Sequence, residues 1–240
     1  MSSDATGQVE LSLAARRAAR RELLRWWKSS GRQLPWRSSP TPYEVLVAEV
    51  LLQQTRFSKA EPAFLRIMAL APTANTLAAI PAYELSRIIR PLGLVKRAET
   101  LHLLGAALAT EFGGVVPDNR RDLLRLPGVG HYIAGAVLCH GYNRPEPLVD
   151  NLTARFYQRF LGIAPVDRPA RSRSLWAAVT QLQPRRPKEF HLAIVDLSSM
   201  VCRRVIPQCS NCPVTRWCKY ANESHHLNRA PVQALTRAPC

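Results

Sequence analysis

A chain of 240 residues that is 47% hydrophobic can bury a substantial core, which excludes an intrinsically disordered protein. The formal net charge of +16 favours a polyanion as partner. Residues 1–10 are polar and carry acids, unlike a secretion leader. No charge-free apolar run reaches the length of a bilayer span, so the expectation is a soluble, cytoplasmic protein with no membrane partner. The basic residues gather at Arg16-Arg17, Arg20-Arg21, Arg120-Arg121, Arg168 to Arg173, and Arg185-Arg186 with Lys188.

Residues 11–30 set Leu11, Leu13, Leu23, Leu24, Trp26 and Trp27 among arginines, the pattern of an amphipathic helix with a basic face that Gly31 ends. A Pro-rich connector follows over 31–42. Residues 43–57 are apolar nearly all round, so this helix is expected inside the core. Glu49 is its anomaly. Of its neighbours at three and four residues, Val45, Leu46 and Leu52 are apolar and only Gln53 is polar. A buried carboxylate is costly without a partner, and desolvation raises its pKa, which makes Glu49 a candidate general acid or base. The other reading is a Glu held by a buried Arg. Gln53 lies one turn on and Arg56 near the helix end, and Gln54 joins Gln53 at the terminus. Both glutamines can cap it or reach into a ligand site.

Residues 58–118 are helical runs with short breaks and no strand alternation, so this part is expected to be all-α. Thr73, Pro81 and Asp118 read as helix starts. Lys96-Arg97 suit either a phosphate contact or a solvated face. Two helical stretches, 119–126 and 132–141, then flank Leu126-Pro127-Gly128-Val129-Gly130. Glycine at 128 and 130 permits positive φ and close approach of a foreign backbone. Val129 can pin the hairpin, and the free amides of the next helix form an anion site. An ordinary two-helix turn is the alternative.

Asp150 follows a Gly/Pro-rich link, where an N-cap for the helix over 151–163 belongs. A carboxylate there is kept ionised by the helix dipole, which suits it to face a cation. Arg155 is a candidate to pair nearby. Two further helices, at 174–182 and 190–200, lead into the cysteines. Cys202, Cys209, Cys212 and Cys218 are spaced C-x6-C-x2-C-x5-C. Four thiolates in one loop can enclose a four-iron four-sulfur cluster, whereas structural zinc usually needs two paired knuckles. Cys139 reads as core and Cys240 as incidental.

Glu49-Val50-Leu51-Leu52-Gln53-Gln54-Thr55, the Leu126–Gly130 hairpin, Asp150 and the four-cysteine spacing resemble, in order, the endonuclease III superfamily of helix–hairpin–helix DNA glycosylases. The resemblance spans residues 25–220. Leu34-Pro35-Trp36-Arg37 is similar to a segment of the adenine and mismatch thymine branches, with Trp36 read as packing.

This resemblance implies an all-α fold of two helical lobes flanking a DNA-binding cleft. Residues 41–149 would form a helical barrel with the hairpin. Residues 150–222 would form an iron–sulfur cluster lobe joined by the N-terminal segment 1–40, and 223–240 a loose tail. It implies that Asp150 stabilises oxocarbenium character and that Glu49 protonates the base or orders water. Pro127, Gly128, Val129 and Gly130 would grip DNA, while Gln53 and Gln54 would fill or read the space of the extruded nucleotide. Tyr132 stands where bifunctional members carry a Schiff-base Lys, so no lyase step is expected. The cofactor would be a structural four-iron four-sulfur cluster on Cys202, Cys209, Cys212 and Cys218.

The partner would be double-stranded DNA with a mismatched or damaged base, met by a monomer in the nucleoid. The expected activity is monofunctional removal of thymine or uracil opposite guanine. The 92–99 turn lacks the paired Tyr of adenine enzymes, and few residues follow Cys218. Adenine removal opposite 8-oxoguanine or guanine is the second reading, favoured by Gln53-Gln54. A non-catalytic DNA-binding protein is the third.

Overall fold

A computed structural model describes residues 11–93, 96–185 and 187–227. All regular elements among them are helical, as expected, and no helix among them is long and apolar enough to cross a membrane. Helix α1 (Leu13–Ser30) starts at Ser12, whose hydroxyl accepts from the Ala15 amide, and stops at Gly31. Helix α2 (Pro42–Leu52) begins in a capping box, Thr41 with Glu44, with proline in its first turn. Helices α3 (Phe57–Leu70), α4 (Ala74–Ala79), α5 (Ala82–Ile89) and α6 (Lys96–Phe112) follow. Thr73 and Pro81 sit at the expected starts of α4 and α5.

These helices close a first core around α2. Leu46, Val47, Leu51, Ile67, Leu77, Leu101 and Leu104 are fully buried in it, each worth roughly 1.5–3 kcal/mol. Leu34 and Trp36 of the connector already belong to this core. Trp36 packs edge-on against Phe64 at 5.0 Å, in line with a packing role.

Around the hairpin the helices are shorter than the sequence suggests. Helix α7 (Arg120–Leu123) is capped by Asn119 rather than Asp118, because the Asn119 side chain accepts from the Asp122 amide while Asp118 pairs with Arg144. Helix α8 (His131–Ala136) gives way to a π-helical turn, Val137–Gly141. Only Gly128 uses the left-handed region, at φ +75; Gly130 is extended at φ −98.

The second core joins the chain's two ends. Leu23 of α1 packs with α9 (Asn151–Leu161), α10 (Arg173–Leu182) and α11 (Lys188–Met200) through Phe156, Tyr157, Leu175, Val179, Ile194 and Leu197. Helix α12 (Lys219–Leu227) returns to α9. Its backbone is helical through 223–227, where a loose tail was expected; residues 228–240, Cys240 among them, lie outside the described residues. Cys139 is fully buried, as expected of a core residue.

Candidate active site

A cavity of about 340 Å³ opens where the two cores meet. Its wall brings together residues far apart in sequence. Glu49, Gln53 and Gln54 come from α2 and its end, Tyr132 and His140 from the hairpin's second helix, Asp150 from the start of α9, and Lys188 and His191 from α11. Arg37 and Trp36 close it from the connector.

Glu49 sits on the one face of α2 that meets this space. Burial raises its carboxyl to about 7, the nearby Asp150 charge adds to the rise, and Arg37 opposes it. Asp150 is held by a capping box: its Oδ1 accepts from the Thr153 amide and hydroxyl, each at 2.7 Å, and its own amide donates to the Thr153 hydroxyl at 3.1 Å. Both donors use Oδ1; among the described residues no hydrogen bond occupies Oδ2. Burial, then the charges of Glu49 and Asp150, push the Tyr132 phenol well above its usual range. Glu49 and Tyr132 therefore feel the charges that face them across the cavity.

The end of α2 is fastened from outside. Arg97, only 4% exposed, donates to the Leu51 carbonyl at 2.9 Å, to the Thr55 hydroxyl at 2.6 Å and to the Gln53 carbonyl. It satisfies carbonyls that the helix leaves open, so it neither meets phosphate nor lies on a solvated face. Gln53 Nε2 donates to the Gly128 carbonyl at 3.2 Å and ties this end to the hairpin. Gln54 takes φ +54 and is exposed at the cavity's rim. Val129 is buried in the first core and anchors the hairpin, while a Cβ placed on Gly130 would meet nothing within 4 Å.

Sequence reasoning did not nominate four ionisable side chains of this wall as site residues: Arg37, His140, Lys188 and His191. It also passed over Asp196, fully buried on α11, which holds Arg37 at 2.8 Å and Arg32 at 3.0 Å, and accepts from Trp27 Nε1 at 3.1 Å. Asp196 stands among apolar neighbours just as Glu49 does, and that was the available signal.

The four spaced cysteines meet elsewhere. Cys202, Cys209, Cys212 and Cys218 line one small cavity with Phe156, Pro207 and Tyr220. Short 3-10 turns at Cys209–Asn211 and Thr215–Trp217 bring the last three round. Arg155 grips the Ser198 and Cys202 carbonyls at 2.6 and 3.0 Å, and Arg159 those of Arg203 and Arg204 at 2.7 and 3.0 Å. Burial pushes the Cys212 thiol to about 12 and the Cys218 thiol to about 11, and neighbouring cysteines of the set act the same way.

Comparison with known proteins shows which family shares this sequence and fold. Residues 47–180 match the model of the HhH-GPD superfamily base excision DNA repair proteins. The chain is 34% identical to a thymine-DNA glycosylase of Aeropyrum pernix, over 85% of this chain and 95% of that one. It is 36% identical to an adenine DNA glycosylase of Mycolicibacterium smegmatis, over 82% of this chain and 68% of that one. The solved structure of a thermostable thymine-DNA glycosylase superposes with a TM-score of 0.82 at 27% identity, covering 89% of this chain and all of the other. The chain belongs to the HhH-GPD superfamily of base excision DNA repair proteins.

Proposed function

We propose that the protein is a monofunctional DNA glycosylase that hydrolyses the N-glycosidic bond of thymine or uracil mispaired with guanine. The observation that carries this is the meeting of Glu49, Asp150 and Tyr132 in one cavity. A site of about 340 Å³ suits an extruded base. As the C1′–N bond breaks, its electron pair leaves with the base. Glu49, with a carboxyl near 7, gives the base its proton. Asp150 Oδ2 stabilises the positive charge growing on the sugar. Water then adds to C1′ and returns a proton to Glu49.

Duplex DNA is the partner, bound by a monomer. Pro127, Gly128, Val129 and Gly130 take the strand's backbone at the one place where nothing crowds Gly130. Gln53 and Gln54 occupy the gap beside the extruded nucleotide. The likeness to the thymine-DNA glycosylases, in coverage and in superposition, favours thymine or uracil over adenine. The adenine reading keeps support from the relative at 36% identity.

The cysteines fit a four-iron four-sulfur cluster. All four thiols line one cavity, although among the described residues no group of three or more His, Cys, Asp or Glu side chains is placed to hold a metal ion. The spacing, with one close cysteine pair where structural zinc usually takes two, favours the cubane. Cys202, Cys209, Cys212 and Cys218 would hold the cluster, which would add a cross-link to the loop that Arg155 and Arg159 already grip. We further propose two lobes, residues 41–149 against 150–222 joined by the N-terminal segment, with helix α1 packing in the second core while Leu34 and Trp36 of the connector pack in the first.

The deciding experiment incubates the protein with duplexes bearing T·G, U·G, A·8-oxoG and A·G, each followed by alkali, with iron measured on the same sample. Cleavage of T·G and U·G is expected, with no adduct trapped by borohydride because the Tyr132 phenol forms no imine. Adenine cleavage alone favours the second reading. A trapped adduct that disappears in Lys188→Met overturns the monofunctional assignment, since Lys188 lines the same cavity.

A further inference from the structure

Two histidines that the proposed chemistry leaves unused share a wall of the reaction cavity. His140 comes from the π-helical turn after α8, and His191 from α11. Such π turns are rare and concentrate at functional sites. The two rings lie with His140 Nε2 and His191 Nδ1 3.0 Å apart, so one donates to the other. They are 8% and 1% exposed. Burial holds both below the usual imidazole range, His140 at about 3, with Arg37 acting the same way on each and Lys188 on His140. Both rings are therefore neutral at neutral pH.

A neutral imidazole carries one proton on two nitrogens. When His140 donates to His191, the outer Nε2 of His191 bears the proton and is a donor. When His191 donates, that Nε2 is bare and accepts. Among the described residues this Nε2, itself buried, has no partner, and a buried polar atom without one calls for a ligand or water. On the same helix Leu192 and Val195 line the wall as apolar groups, and Lys188 can only donate while charged, so the pair is the group there that can either donate or accept.

We propose that the His140–His191 pair reads the extruded base: His191 Nε2 hydrogen-bonds the polar edge of a nucleobase, through a carbonyl oxygen, ring nitrogen or N–H. His140 holds the His191 ring and sets whether it donates or accepts. This assignment rests on the glycosylase reading above and adds the group that recognises the leaving base.

The test compares wild type, His191→Leu, His140→Phe and His191→Asn on three duplexes. One carries a scissile base from the panel, one its uncleavable 2′-fluoro analogue, and one a tetrahydrofuran abasic site at the same position. His191→Leu and His140→Phe should lose about tenfold in single-turnover excision and in affinity for the 2′-fluoro duplex, the worth of one buried hydrogen bond, and stay within about twofold on the abasic duplex. His191→Asn should recover part of the loss. Equal losses on both duplexes, with or without a lowered melting temperature, mean a purely structural role and overturn the proposal, as does no loss. If wild type excises a base but the ratio between duplexes never moves, only the role of the pair falls. If wild type excises nothing from the panel, the glycosylase reading falls and takes this proposal with it.

Discussion

Glu49 and Asp196 carry the same signature, an acid inside an apolar helix, and meet opposite fates. Asp196 is saturated: Trp27 Nε1, the Arg32 amide, the Arg32 guanidinium and the Arg37 guanidinium all donate to it. Glu49 faces the cavity, and burial lifts it to about 7 with no hydrogen bond to offset the rise among the described residues. Arg37 lies between the two acids. It donates to Asp196 and acts on Glu49 only through its field. A carboxylate whose donors are complete is fixed as structure, and one whose donors are missing stays open to a ligand. The distinction lies in partners contributed from distant parts of the chain.

Replacing Glu49 by Gln probes that comparison most strongly. Excision should fall by about 10²–10⁴-fold, the usual worth of a general acid. In the parent, the rate should fall as pH rises through about 7, because only the protonated acid serves the leaving base. A rate that rises over the same range makes Glu49 the base that orders water. Stability should move the other way. The unfolded carboxyl releases its proton near 4.5 and the folded one near 7, so stability is lost as pH rises through that window. Glu49→Gln removes this dependence. The variant should match the parent near about pH 4 and exceed it by up to about 3 kcal/mol at about pH 8. Denaturant midpoints at the two pH values measure it; equal gains at both contradict the raised carboxyl.

Asp196→Ala should do the reverse, costing about 3–5 kcal/mol by leaving the buried Arg37 without its anion. The midpoint of chemical unfolding reports this directly. A variant that keeps its stability and loses excision would move Asp196 into the chemistry and erase the contrast with Glu49.

Much of the fold was legible locally. Apolar period, capping residues and the Gly31 stop mark most helices, and Thr73 and Asp150 cap as their positions suggest. Glu49, Gln53, Gln54, Tyr132 and Asp150 do line one cavity. What the sequence hid is what long-range packing decides. Arg97 reads as a phosphate contact or part of a solvated face, yet it reaches back 46 residues to the Leu51 carbonyl. His140 and His191 are 51 residues apart and meet through a π turn that no helical spacing announces. Asp118 lost its capping place to Asn119, one residue on, because both residue types cap and only the turn's geometry selects between them.

The hairpin offers the finest version of the same contrast, since its two glycines look alike in sequence. Gly128 has φ +75, and a Cβ there would lie 2.3 Å from Thr100 Cγ2. Gly130 is extended and its surroundings are open. Gly128→Ala should therefore cost about 1–3 kcal/mol through backbone strain and the clash. Gly130→Ala should change the unfolding midpoint by no more than about 0.5 kcal/mol. If the space beside Gly130 is where the DNA backbone approaches, that same substitution should weaken duplex binding while the protein stays as stable as before. A Gly130→Ala protein that binds duplex as tightly as the parent would place the strand elsewhere and leave the second glycine as an ordinary helix start.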